Sequence, residues 1–431
     1  MPNPKDLSPN ISRRNFLAQT SALAAAPLIL SNPASARRAV ANEQLGIGFI
    51  GMGIRGRNVL NGYFKNNARA RVLAVCDVDT ARREHFQNLV NEHNGNTDCD
   101  AYNDYRDLLA RPDIDAVVIT TPDHWHTLQS IHAAQAGKDI YCEKPLTHSL
   151  EESRAIIKAV RAHGRVFQTG SQQRSEYDHK FCQAVEYVRN GRIGPVVSAN
   201  VGVGDAPIPC DLPGESIEPG LDWDRWLGPA PSRPYHSDLA PRGIINHYPA
   251  WRRYTEYSGG YFADMGAHHY DIAQWGIDAD ASGPFEVLPP LDETSMRGAK
   301  LRFESGAEIF HGGPNGTTFV GTTGLIHVDR GRIVPVPGNL FETPIAEDEL
   351  HIPRHTNHVE NWLDCIHSRE KPVCDVEIGA RTAACCHLVN LVYKLRRPLT
   401  WDWRSWRFEN DDEANTLLDN PRRTGYELPT T

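Results

Sequence analysis

A chain of 431 residues exceeds one ordinary domain and suits two. Hydrophobic residues make up 40% and charged residues 23%, which excludes wholesale disorder. Acidic residues outnumber basic ones by 54 to 45, a net charge of −9 that argues against a nucleic-acid protein, and no stretch beyond the N-terminal region is apolar enough to span a bilayer.

The N-terminus reads as an address. Ser12-Arg13-Arg14-Asn15-Phe16-Leu17 is a twin-arginine pattern, an apolar run extends from Leu17 to Leu30, and Ala34-Ser35-Ala36 is a small-residue cleavage site. That order predicts a signal peptide over residues 1–36 and export to the periplasm or another extracytoplasmic space, with no membrane insertion after its removal. Nine scattered cysteines form no Cys-x-x-Cys pair, so they read as thiols and buried hydrophobes, not as a disulfide framework.

From Leu45 a short buried-strand pattern runs into Gly51-Met52-Gly53-Ile54-Arg55-Gly56. Such a turn needs its first glycine for tightness, its second for close approach of a pyrophosphate and its third for helix packing. A second strand, Arg71 to Cys76, ends in Asp77, placed to bond an adenosine ribose and repel a 2′-phosphate. Asp77 thus favours NAD over NADP, while Arg55, Arg82 and Arg83 nearby are able to reverse the preference. A helix from about Thr80 to His93, a strand from Asp115 to Thr121, a helix from Thr127 to Ala136 and a strand from Asp139 to Cys142 continue the alternation. It predicts a doubly wound parallel sheet, over residues 45–165, whose ligands bind beyond the carboxyl ends of the strands. Asp123-His124-Trp125-His126 and Glu143-Lys144-Pro145 belong at that edge. Pro145 also restricts Lys144 to extended backbone.

After a helix over Leu150 to His163 and a strand over Val166 to Gly170, the pattern changes. Strand-like runs at Val196–Gly202, Ala299–Phe303, Ala307–His311 and Leu325–Val328 predict an antiparallel sheet over residues 166–400, backed by helices at His358–Ser368 and Ile378–Leu395. A long Pro- and Trp-rich stretch lies between Asp205 and Ser258, and a Trp-rich tail occupies 401–431. Aromatic residues of the first, Trp223 above all, are candidates for stacking on sugar rings. In the segment Gly259 to Trp275, helical phase puts Asp264, His268 and Asp271 on one face, with Asp264 placed to orient the His268 imidazole. The His-Trp-His segment and the doublet at 268–269 do not by spacing bring three or four ligands together, and no metal is expected.

Together, the glycine turn, Thr121-Pro122 with His126, Glu143-Lys144-Pro145, Asn190-Gly191-Arg192-Ile193-Gly194 and Asp264-x-Gly266-x-His268-x-x-Asp271 resemble the Gfo/Idh/MocA family over about Leu45 to Leu395. The resemblance implies a Rossmann domain followed by an α/β domain with a large open, mainly antiparallel sheet, often a dimer face, and hence a homo-oligomer (dimer or tetramer). It implies NAD or NADP held by Gly51, Gly53, Ile54, Arg55, Gly56, Asp77, Thr121, Pro122, His126 and Glu143, and the export signal adds the expectation that the cofactor is tightly bound. Lys144, Asp264 and His268 would carry the catalysis, and His269, Arg252 and Trp223 would touch a carbohydrate or polyol. Three functions remain open at this point: an oxidoreductase with retained cofactor, a redox-neutral glycoside hydrolase or lyase, and a non-catalytic sugar or cofactor sensor.

Overall fold

Strands β1 (Leu45–Ile50), β2 (Ala70–Cys76), β3 (Asp100–Tyr102), β4 (Ala116–Ile119), β5 (Asp139–Cys142) and β6 (Phe167–Thr169) pair in parallel in the order β3-β2-β1-β4-β5-β6. The computed structural model describes residues 44–429, so the twin-arginine segment and its cleavage site lie outside the described residues. β4 and β5 are buried along their whole length, as a sheet covered on both faces requires. Helices α1 (Ile54–Val59), α2 (Thr80–Asn94), α3 (Tyr105–Leu109), α4 (Asp123–Gln135) and α5 (Leu150–Ala162) supply the connections. The side chains of Asp79, Asp104 and Ser149 cap α2, α3 and α5 by accepting main-chain N–H groups. The alternation thus produces the doubly wound sheet that its spacing predicts. Its sixth strand, however, is β6, so the boundary expected after residue 165 cuts the sheet one strand short.

The second layer begins with α6 (Lys180–Arg189), β7 (Val196–Gly202), α7 (Trp223–Leu227) and α8 (Gly260–Gly276). It continues through β8 (Glu286–Leu288), β9 (Lys300–Arg302), β10 (Glu308–Gly321), β11 (Leu325–Val328) and β12 (Ile333–Val336). Helices α9 (His358–Ser368) and α10 (Val376–Leu395) and strands β13 (Leu399–Asp402) and β14 (Arg407–Phe408) follow. An eight-stranded antiparallel sheet runs β12-β11-β10-β9-β8-β13-β14, with β7 also paired to β10. Trp401 is therefore a buried strand residue and no part of a tail. Trp403 and Trp406 pack against that sheet's core under the Arg381 guanidinium.

Helix α9 does not back the antiparallel sheet as expected. Its Val359, Trp362 and Leu363 bury themselves with Ile47, Phe49 and Tyr141 of the parallel sheet. Helix α10 joins the two layers: Val376 and Ala380 pack with Ile140 and Phe167, while Cys386, Val389 and Val392 pack with α8 and the second sheet. The Trp-rich stretch has a small core of its own, built from Trp223, Trp226, Tyr235, Leu239, Trp251, Tyr254 and Tyr257. None of the nine cysteines is disulfide-bonded, and all but Cys210 are buried. Among the described residues, no helix is long and apolar enough to cross a membrane.

Candidate functional site

The carboxyl ends of β1, β2 and β4 converge on one edge, where residues of the Trp-rich stretch lie over them and together they line an open cleft. Gly51 sits at φ +89°, and a Cβ there would lie 2.6 Å from the Thr121 nitrogen. At Gly56 a Cβ would strike the Gly51 carbonyl at 2.5 Å, so the third glycine allows α1 to pack close. At Gly53 a Cβ would meet nothing within 4 Å, because this glycine borders the open cleft. Two glycines thus serve the fold, and the middle one leaves space that only a ligand needs.

Asp77 accepts the main-chain N–H groups of Met52 (2.6 Å) and Asp79 (2.8 Å), which ties the glycine turn to the end of β2. Each carboxylate oxygen retains a further lone pair for a ribose hydroxyl. Burial raises its pKa, opposed by Arg82. Arg82 donates to the carbonyls of Gly243 (3.0 Å) and Pro241, and Arg83 to Asp77 O (2.7 Å), Asn103 and Thr80, so both guanidiniums are committed within the protein. Ile54, Arg55, Thr121, Pro122 and Arg252 also line the cleft. Glu143 stands just behind it, accepting from Arg55 Nε and from Gln172 Nε2, both at 2.8 Å.

At the inner end, two layers meet through one ion pair. Lys144, at the end of β5, donates to the Asp264 carboxylate (2.9 Å) and to the Asp264 main-chain carbonyl (2.8 Å) on α8. Arg252, stacked over Trp251, approaches the same carboxylate at 3.6 Å. Burial alone would raise the Asp264 carboxyl, but Lys144 and Arg252 outweigh it and hold it below the usual range. One turn further along α8, His268 is 4% exposed, and its Nδ1 has no hydrogen-bond partner. Burial first, then the charges of Lys144 and Arg330, drive its pKa well below the ordinary value, so the ring is neutral at neutral pH. The expected Asp264–His268 bond is therefore not formed. A carboxylate placed between an ammonium and a buried neutral imidazole pairs with the ammonium.

Asp271, on the same face of α8, is fully buried, holds Arg174 Nε with both oxygens (3.0 and 2.9 Å) and accepts from Thr382. Three more expectations require correction. His269 faces the antiparallel sheet, bonded to Thr317 Oγ1 (3.2 Å) and packed against Phe181, so it is a core histidine and no substrate contact. His126 lies under the site edge with its ring nitrogens 2.8 Å from the carbonyls of Pro145 and Thr121, bracing the Lys144 turn and leaving no ring nitrogen free for a cofactor. Trp223 is stacked on Trp226 (4.7 Å) and donates to Arg233 O, and it is Trp226 that lines the cleft.

The residues not anticipated are Tyr248 and Tyr426 in the cleft, and the pair Gln173 and Arg330 beside His268. Gln173 donates to the His268 carbonyl (3.3 Å) and accepts from Arg330 Nε (3.1 Å). No local spacing signals them, because each arrives from a distant turn. Among the described residues, no three His, Cys, Asp or Glu side chains converge as a metal site would require.

Comparison with known proteins agrees with this geometry. Residues 45–171 match the model of the oxidoreductase family with an NAD-binding Rossmann fold, and residues 209–428 match that family's C-terminal α/β domain. An inositol 2-dehydrogenase of Rhodococcus erythropolis is 34% identical over 154 residues, which cover 36% of this chain and 42% of that protein. A glycosyl hydrolase family 109 protein of Shewanella sp. ANA-3 is 33% identical over 162 residues, 32% of this chain and 35% of that protein. The chain thus spans less than half the length of these curated relatives. The WlbA dehydrogenase of Bordetella pertussis, solved with NADH and UDP-GlcNAcA, superposes with a TM-score of 0.58 over 84% of this chain and 99% of that one, at 20% identity. Both halves of the chain match in the right order, the Rossmann half binds NAD(P), and the chain belongs to the Gfo/Idh/MocA oxidoreductase family.

Proposed function

We propose that the chain is an exported NAD-dependent oxidoreductase that removes hydride from a carbon bearing a hydroxyl group in a carbohydrate or polyol. The observation that carries this reading is the buried, unpartnered Nδ1 of His268 on the same helix that brings Asp264 to Lys144. When bound, the nicotinamide supplies the hydride acceptor. Lys144 has three N–H donors, two of them spent on Asp264, which leaves one for the substrate oxygen. His268, neutral and with a free ring nitrogen, takes the hydroxyl proton. Arg252 and Trp226 face the substrate from the covering loop. Asp77 supports NAD over NADP, since Arg82 and Arg83 are already bonded within the protein and not held in reserve for a 2′-phosphate.

Export by the twin-arginine signal implies a dinucleotide retained in the site, because no soluble pool replenishes it outside the cytoplasm. Likeness to glycosyl hydrolase family 109 proteins favours a second reading, in which a glycoside is cleaved and the hydride returns within one turnover. The test is to load the protein with NAD+, add sugars, polyols and glycosides, record reduced-nicotinamide absorbance and identify products. A keto product with persistent reduced cofactor supports the first reading. A cleaved glycoside with the cofactor unchanged supports the second. A His268→Asn variant with undiminished turnover overturns the assignment of the base.

A further inference from the structure

We infer that the C-terminal segment Asp419–Glu427 is part of the dinucleotide site, with Tyr426 contacting the adenosine end of the bound cofactor. The inference rests on the NAD(P)-binding cleft described above and adds a binding residue to it.

The segment follows a fixed course. The Leu418 carbonyl accepts from Glu151 N (2.9 Å), and Asp419 accepts from Ser149 Oγ (2.8 Å), both at the start of α5. Asn420 donates to His148 O (2.9 Å), and Arg422 donates to the buried Glu152 (2.8 Å). Arg423 then crosses to the covering loop and donates to Gly228 O (2.6 Å) and Asp224 O (2.7 Å). These anchors carry the chain from α5 to the mouth of the cleft, where Tyr426 lines the wall together with Tyr105, Arg106 and Asn103. Its ring stands edge-on to Trp125 at 5.6 Å, and the Arg423 guanidinium lies 5.1 Å from its centroid.

This is the adenosine end because the other lining groups there come from β2 and β3, whose carboxyl ends hold Asp77 and Asn103. Tyr105, Trp125 and Tyr426 make an aromatic corner beside the ribose position, and a purine presents a π-face to any of them. Tyr426 is half-buried, with its N–H donated to the Arg423 carbonyl (3.1 Å) and its ring against Trp125 and the Arg423 guanidinium, and it still faces the open cleft.

The experiment compares the parent chain with Tyr426→Ala, Tyr426→Phe and Arg423→Gln by calorimetric titration with NAD+ and with ADP-ribose. Loss of a base–aromatic contact weakens both ligands in Tyr426→Ala by about tenfold. Tyr426→Phe stays near the parent. Arg423→Gln, which frees the segment without touching ligand, weakens binding too, and the double variant is no weaker than Tyr426→Ala alone. Tyr426→Ala within twofold of the parent for both ligands overturns the inference and leaves the segment a brace. A parent that binds neither ligand overturns the cofactor reading itself.

Discussion

Acidification should unfold this protein well before its carboxylates are neutralised, because several of its histidines are buried as neutral rings. Burial pushes His124, His269, His358 and His387 down to about 3. Each is hydrogen-bonded to a neutral partner, respectively Trp226 O, Thr317 Oγ1, Thr169 O and Thr147 Oγ1, and at His269 the pull of Asp329 is outweighed by burial and Arg330. In the unfolded chain these rings titrate near 6.5. The unfolded state therefore binds more protons below that pH, and stability present above about 6.5 is lost as the pH falls toward the folded values. At pH 5 the gap is about 1.5 units, or about 2 kcal/mol per ring. Asp123 and Asp271, raised by burial, work in the opposite direction and offset part of the sum. Halving the total still leaves a loss of roughly 4 kcal/mol between pH 7 and pH 5, a large share of a typical stability of about 5–15 kcal/mol. Equilibrium urea unfolding at the two pH values measures it, and a difference below about 1 kcal/mol would refute the neutral-ring account.

Gly53→Ala should leave the stability of the ligand-free chain unchanged or raise it by about 0.4–1 kcal/mol, since φ is −79° and the new methyl meets nothing, while NAD+ binding falls. Gly51→Ala should lower both, as thermal unfolding and titration will show, because φ is +89° there. Lys144→Met should keep NAD+ affinity within a fewfold and cut turnover by about 100-fold or more, measured by initial rates at saturating cofactor. Asp271→Asn should cost about 1–3 kcal/mol of stability, since Arg174 keeps its pair with Asp280 but loses the charged acceptor for its Nε, and a variant of normal stability but no activity would place Asp271 at the reacting centre.

The parallel sheet was legible because its evidence is local. The buried strand β4 is a continuous apolar run, the turns into α1, α2, α3 and α5 carry a glycine or a capping side chain, and the Gly51–Gly56 spacing suits a tight strand-to-helix turn. β3 escaped notice because three residues, Asp100–Tyr102, are too few for periodicity. The destination of α9 was hidden for a different reason. Its apolar face is evident from the sequence, but both sheets offer a surface that such a face can cover, and nothing within His358–Ser368 distinguishes them. The tail residue Tyr426 and the turn residue Arg330 lie far along the chain from the sites they reach, so only the folded arrangement brings them there.

Side-chain partnership at the site shows where helical phase stops being informative. The i, i+4, i+7 spacing does place Asp264, His268 and Asp271 along α8, yet both carboxylates are claimed by groups from other elements. Arg174, which Asp280 also pairs, holds Asp271, because buried opposite charges neutralise one another while an imidazole can stay neutral. Lys144 takes Asp264 for the same reason. What remains for His268 is an environment of positive charge and low polarity, and that environment, not an aspartate, defines it. A histidine tuned by a carboxylate would hold its proton more firmly, whereas this one gives up its charge and keeps an open nitrogen. The division of labour at the seam therefore follows from competition among buried charges: the lysine and aspartate satisfy one another across the two layers, and the imidazole is left neutral with its Nδ1 unpartnered.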